Sequence, residues 1–134
     1  MKRNVLLTVI SLSSNVLLAV HLADDVVRGK SPGGLGNLNA IVAMALFAYA
    51  SLMLAEGRVG RILIFIESLC AAGMPVIHMM GRGVGGAFAK TPGAFFFILT
   101  LFILGVTGIL GMVLAVRGNG TMSAVANENP DRRG

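Results

Sequence analysis

Two histidines, His21 and His78, stand among the acids and bases most able to do chemistry in this chain, because His21 is followed by Asp24, Asp25 and Arg28 and His78 by Arg82. Two imidazoles with one or two carboxylates make a plausible ligand set for a divalent metal, here His21, Asp24, Asp25 and His78, and the thioethers of Met74, Met79 and Met80 would add soft donors that favour copper. The same imidazoles could instead be the axial ligands of one b-type haem, with Arg28, Arg82, Lys30 and Lys90 available for its propionates. As a group, His21, Asp25, His78, Arg28 and Arg82 could also bind an ion or small ligand in transport. The plainest reading is an interfacial network in which histidines and aspartates pair with the arginines and tie helix ends together. His-x-x-Asp-Asp is too short a pattern to choose among these, and the absence of any resident cofactor is the default expectation.

Glu67 is the other residue with chemical consequence. It lies deep in an apolar stretch, where an ionised carboxylate costs about 3 kcal/mol on insertion scales. Its depth places it level with Ser11, Ser14, Tyr49, Ser51 and Thr107, so a protonated Glu67 in a polar knot and a proton or cation carrier are both open readings. Eleven residues separate Glu67 from His78, about 16 Å along a helix, too far for one ligand but close enough for successive stations on a path.

The elements that carry these residues follow from hydropathy. Hydrophobic residues make up 55% of the 134 and charged residues only 13%, far from soluble usage. The apolar stretches run over residues 4–23, 32–55, 62–80 and 92–116, each close to or beyond the ~20 residues that a helix needs to cross a bilayer. The expected fold is all-α: an integral membrane antiparallel four-helix bundle over residues 1–117, followed by a disordered polar tail over 118–134. Lys30-Ser31-Pro32-Gly33 before the second span is echoed by Lys90-Thr91-Pro92-Gly93 before the fourth, with a histidine and an arginine ahead of each copy. Ser or Thr would cap the new helix and Pro would take its first turn. The echo fits either two repeated hairpins, which would set the histidines face to face, or convergence on a good helix start.

Register adds to this picture. His21 lies 17 residues after Asn4 and His78 lies 17 after Arg61, so both should stand roughly 25 Å above the inner helix ends. Asn4, Thr8, Ser11, Ser14, His21 and Asp25 recur at helical steps and form one polar seam, and Glu67, Ala71, Met74, His78 and Arg82 form another, with Pro75 expected to bend the helix between. The small residues Gly105, Gly108 and Gly111 in the fourth span favour tight helix contact.

A net charge of +5 would suggest nucleic acid in a soluble protein. Here the basic residues sit at span ends and read as anchors on anionic lipid, so the expected partner is the bilayer, with a homo-oligomer or larger membrane complex possible and no nucleic acid. Lys2 and Arg3 could open a signal peptide, but a cut after Ala23 would put bulky His21 at the minus-three position, so the first span is expected to be retained. Cys70, the one cysteine, excludes an internal disulfide. Gly81, Gly83, Gly85 and Gly86 lack the strand and helix of a phosphate loop, and nothing suggests a hydrolase triad, so enzyme chemistry is not expected.

In size and layout the chain resembles the short four-span bacterial membrane proteins without an assigned activity, and it is similar in length to the small multidrug-resistance transporters. Those depend on a glutamate in the first membrane helix, whereas this first span carries no acid and Glu67 sits in the third. The functional expectation is a small membrane protein that binds an ion or ligand at an outer-face cluster as a transport component. The alternatives are an accessory subunit of a membrane complex and a haem- or metal-binding redox subunit.

Lys2, Arg3, Arg58, Arg61, Arg117, Arg132 and Arg133 on one side outnumber Arg28, Lys30, Arg82 and Lys90 on the other, which puts both termini in the cytoplasm of an inner-membrane protein. Cysteines introduced in 29–34 or 81–89 should therefore react with impermeant reagents added outside intact cells, and cysteines after Arg117 should not. The reverse pattern would overturn the orientation.

Overall fold

The computed structural model describes residues 2–80, 90 and 92–128, and side chains for 5–80, 90 and 92–117 of these. Four helices account for most of them: α1, Lys2–Val27; α2, Leu38–Tyr49, entered through a 3-10 turn at Gly34–Asn37 and continued by a π-turn at Ala50–Leu54; α3, Arg58–Met79; and α4, Ala94–Glu128. Among the described residues there is no strand. Each helix is long and apolar enough to cross a membrane, and together they form an antiparallel four-helix bundle. α3 and α4 pair most closely, α1 lies along α4 and also touches α2 and α3, and α2 sits at the edge with no buried residue over Leu38–Tyr49.

Burial is distributed for lipid, not for water. Val5, Leu6, Leu52, Met53, Val76, Ile77, Phe95, Phe102 and Val106 are more than half or nearly half exposed along the outer faces, while Ser11, Ser14, Ser51, Ser68 and Glu67 are fully buried. Between them two small apolar clusters close the interior, Leu7 with Ala55, Ile64 and Ala115 near one end, and Leu18 with Ala71 and Leu104 beyond mid-depth. Contiguous apolar surface on this scale would drive association in water. In lipid it is the solvated face, and association rests on close packing and internal hydrogen bonds.

Close packing of α3 on α4 comes from the glycines of α4. A Cβ at Gly108 would stand 2.5 Å from the Ala72 backbone nitrogen and 2.7 Å from the Ser68 carbonyl oxygen, and one at Gly105 would stand 2.9 Å from Pro75 Cγ. Pro75 thus lies inside α3 at its contact with α4, where the missing side chain at Gly105 makes room for the ring.

Several boundaries differ from the sequence expectation, each for a local reason. α1 runs on to Val27 and stops at Gly29, whose φ of 68° turns the chain. The Gly29 amide donates to the Val26 carbonyl and the Lys30 amide to the Asp25 carbonyl, the paired bonds of a Schellman cap. Pro32 does not open α2, because Gly33 and Gly34 follow with φ of 71° and 51°, and the Ser31 hydroxyl bonds Asn37 Oδ1 at 2.7 Å instead of a helix amide. α4 begins at Ala94, after Pro92 and Gly93, and extends past Val116 to Glu128; residues 129–134 lie outside the described residues. An established helix adds one hydrogen bond per residue fixed, and Thr121 to Ala126 contains no breaker.

Arg61 also departs from its expected role as a lipid anchor. It is buried, with Nε 3.4 Å from the Ala55 carbonyl, and it lines a cavity with Ile62, Phe65, Ala115 and Val116. The turn from α2 presses Leu54 against Gly60, and this contact folds the first turn of α3 under the bundle.

Filling the α3–α4 contact should therefore be costly. Gly108→Ala is expected to destabilise the bundle by about 1–3 kcal/mol through overpacking, read as a lowered melting midpoint in detergent. Gly73→Ala, where an added Cβ meets nothing within 4 Å, should leave the midpoint unchanged or raise it.

Candidate functional site

The last turn of α1 and the last turn of α3 meet at one end of the bundle. His21 Nε2 lies 3.4 Å from His78 Nε2, and Asp25 Oδ2 lies 3.6 Å from the first and 3.7 Å from the second. His21 is buried and the other two are half-buried. Helical register explains the pairing within α1, since residues four apart stand on one face. The approach of His78 depends on how α3 is rotated against α1.

Electrostatics make this corner a place for a cation. Asp24 and Asp25 both fall in the last turn of α1, where the helix dipole already presents negative charge. Asp24 is balanced by Arg28, whose Nε lies 2.6 Å from Asp24 Oδ2. Among the described residues no lysine or arginine is paired with Asp25: Oδ2 faces the two imidazoles, and Oδ1 is buried without a hydrogen-bond partner.

The donor atoms are also oriented. His78 Nδ1 lies 3.0 Å from the Met74 carbonyl, which can only accept, so Nδ1 carries the hydrogen and Nε2 of the neutral ring offers its lone pair to the cluster. His21 Nδ1 has no partner. The Phe97 ring closes one side, with its centroid 5.3 Å from that of His21 and 5.5 Å from that of His78.

The triangle of donor atoms has a size that can be compared with metal bonds. The point equidistant from corners 3.4, 3.6 and 3.7 Å apart lies roughly 2.1 Å from each, the ~2.0–2.2 Å of Zn–N and Zn–O bonds. Three protein ligands would leave a fourth position for water or cargo.

The other expected ligands stand apart from this triangle. Asp24 is turned away to Arg28, because one residue along a helix is about 100° of rotation. Arg28 lies over the Phe97 ring at 5.6 Å and donates from Nη1 to the Pro92 carbonyl at 3.2 Å, so it joins the end of α1 to the start of α4. Arg82 lies outside the described residues. Met80 is largely exposed, and Met74 packs on Leu18, Ala71 and Leu104. A haem is poorly accommodated, since its plane must pass between the two axial nitrogens, and here the rings stand edge to face with centroids 4.6 Å apart and Asp25 against both.

Phe97 is a part of the site that the sequence reading missed. A phenylalanine in an apolar span gives no signal of its own, and its position one turn into α4 becomes meaningful only once α4 is seated between α1 and α3.

Deeper in the bundle, Glu67 is fully buried and bonds Ser11 Oγ through Oε2. Ser11 Oγ lies 2.6 Å from Ser51 Oγ in the π-turn, and the Thr8 hydroxyl donates to the Ser51 carbonyl at 3.2 Å. Tyr49 is exposed and Thr107 bonds its own helix at Leu104, so these two expected members lie outside the knot.

No family model, curated protein or solved structure matches the chain.

The shared position of the histidines is directly measurable. In a Cys70→Ser background, with cysteines at positions 21 and 78, spin labels should show a short separation across the bundle end. A long distance, as for opposite ends of a helix, would contradict the packing of α1 on α3.

Proposed function

We propose that this membrane protein binds one zinc-class divalent cation through His21 Nε2, His78 Nε2 and an Asp25 carboxylate oxygen, as the outer capture site of a transport component. The observation that supports it is the set of three converging donor atoms, 3.4 to 3.7 Å apart, around a carboxylate that no lysine or arginine among the described residues pairs with. A donor set of two imidazoles and a carboxylate suits borderline ions such as zinc better than copper(I), which prefers sulfur. The half-buried Asp25 and His78 leave one side of the site reachable from the connecting loops, whereas buried His21 and the Phe97 ring close the side toward the bundle. A cation of charge two on one carboxylate keeps a net positive charge, which the negative end of α1 offsets.

The site would be loaded only from the end of the membrane at which α1 and α3 finish. With both termini cytoplasmic, that end faces outward. An ion held by three protein ligands with an open fourth position can exchange ligands, which suits capture and release better than permanent structural binding.

Calorimetric titration of the purified full chain with zinc should give one ion per chain, and X-ray absorption should show only nitrogen and oxygen near ~2.0–2.1 Å. His21→Ala and His78→Ala should each weaken binding by roughly 100-fold or more, and the double variant should lose little beyond either single one, because each already breaks the shared site. Lack of zinc binding by the wild-type chain, or a sulfur shell, would reject the metal reading, and the same contacts would then stand as a clasp between helix ends.

A further inference from the structure

Hydrogen atoms can be counted around Glu67, and the count has one solution. Ser51 Oγ donates to the Phe47 carbonyl at 2.8 Å, an oxygen that can only accept. A hydroxyl has a single hydrogen, so the 2.6 Å contact between Ser51 Oγ and Ser11 Oγ must be given by Ser11. Ser11 then has no hydrogen left for Glu67, although its Oγ is in close contact with Oε2. The hydrogen in that contact has to come from the carboxyl group.

One hydrogen per bond therefore gives a directed chain: Glu67 Oε2 to Ser11, Ser11 to Ser51, Ser51 to the Phe47 carbonyl. With an ionised Glu67 the directions of the first two bonds reverse, and Ser51 would have to serve both Ser11 and Phe47 with one hydrogen. The surroundings point the same way. Glu67 Oε1 is buried with no partner, tolerable for the carbonyl oxygen of a neutral acid but costly for a charged oxygen without a cation.

Among the described residues, no neighbouring element supplies that cation. α1 carries no titratable residue from Val5 to Val20, and α4 carries none from Ala94 to Val116. α2 offers only Tyr49, which is exposed, and α3 itself has Arg58, exposed at its first residue, Cys70, exposed, His78, eleven residues on in the corner with His21 and Asp25, and Arg61, six residues away with Nε toward the Ala55 carbonyl.

We infer that Glu67 is a proton-binding site at mid-depth in the bundle, whose occupancy is read by the π-turn of α2. Loss of the proton to a water molecule would leave a carboxylate and a hydronium ion. The hydrogens of Ser11 and Ser51 would then swing toward Glu67, and the Phe47 carbonyl would lose its hydroxyl donor. π-turns are uncommon and concentrate at functional sites. This one sits where the chain of hydroxyls ends, with its Ser51 carbonyl also held by Thr8. The inference stands apart from the metal site, since it uses none of its residues.

Infrared spectroscopy of the full chain in lipid, at neutral pH in H2O and D2O, tests it. The wild-type protein should show a protonated-carboxyl stretch that shifts in D2O and is lost completely in Glu67→Gln. Ser11→Ala, which keeps the acid but removes its acceptor, should keep the band and move it to higher frequency. A carbon-13 label on the Phe47 carbonyl should shift when alkaline titration removes the Glu67 band. Absence of a protonated-carboxyl band in the wild type, or a band that neither substitution alters, would overturn the assignment; if Glu67→Gln fails to fold, the Ser11→Ala shift decides.

Discussion

A polar side chain inside hydrocarbon has no water to turn to, so a hydroxyl, amide or acid on these helices is favoured where it meets a partner in its own helix or across the bundle, and the exceptions, such as Ser14 Oγ and Ser68 Oγ, are buried without one. That constraint sets the rotation of α1. Its seam of Thr8, Ser11, Ser14, Asn15 and His21 is bonded or buried against the other helices, with Thr8 and Ser11 reaching the π-turn, Asn15 donating to the Met44 carbonyl at 2.8 Å and His21 meeting α3. Lipid-facing valines and leucines contribute little to this choice, because exchanging lipid contacts for protein contacts is nearly neutral.

α4 answers the same constraint in a different way. It brings almost no polar groups, and its Thr100 hydroxyl returns to its own helix at the Phe96 and Phe97 carbonyls. What it offers is proximity: glycines at 105, 108 and 111 let the backbones of α3 and α4 approach closely, which in lipid supplies packing that no hydrophobic effect can. Seating α4 so firmly also places Phe97 beneath both histidines and Arg28 above its ring. A packing device at mid-helix and the shape of the corner at its end are therefore linked.

The two polar centres differ in kind. The corner of His21, Asp25 and His78 has more acceptors than hydrogens to share and gathers around a carboxylate that no lysine or arginine among the described residues pairs with. The knot of Glu67, Ser11 and Ser51 is fully buried and linked through its hydroxyls. One is half-exposed at the end of the bundle; the other is enclosed. Both lie where α1 meets α3.

Four spans, the polar seam of α1 and the common depth of the histidines were legible in the sequence, because hydropathy and a period of 3.6 residues need no knowledge of neighbours. The glycines of α4 were readable in the same way. What required the tertiary structure was every choice that depends on rotation about a helix axis. Asp24 and Asp25 are equivalent as letters, yet about 100° of turn sends one to Arg28 and the other to the histidines. Arg61 reads in the sequence like its fellow basic residues yet is buried, and Tyr49 shares the depth of Glu67 yet is exposed. The π-turn left no trace in composition, since an extra residue in one helical turn is decided by what that turn must bond across the bundle, here Thr8 and Ser11. Sequence sets which groups must be hidden from lipid and how far along the membrane they lie; only the packed helices decide which of them meet.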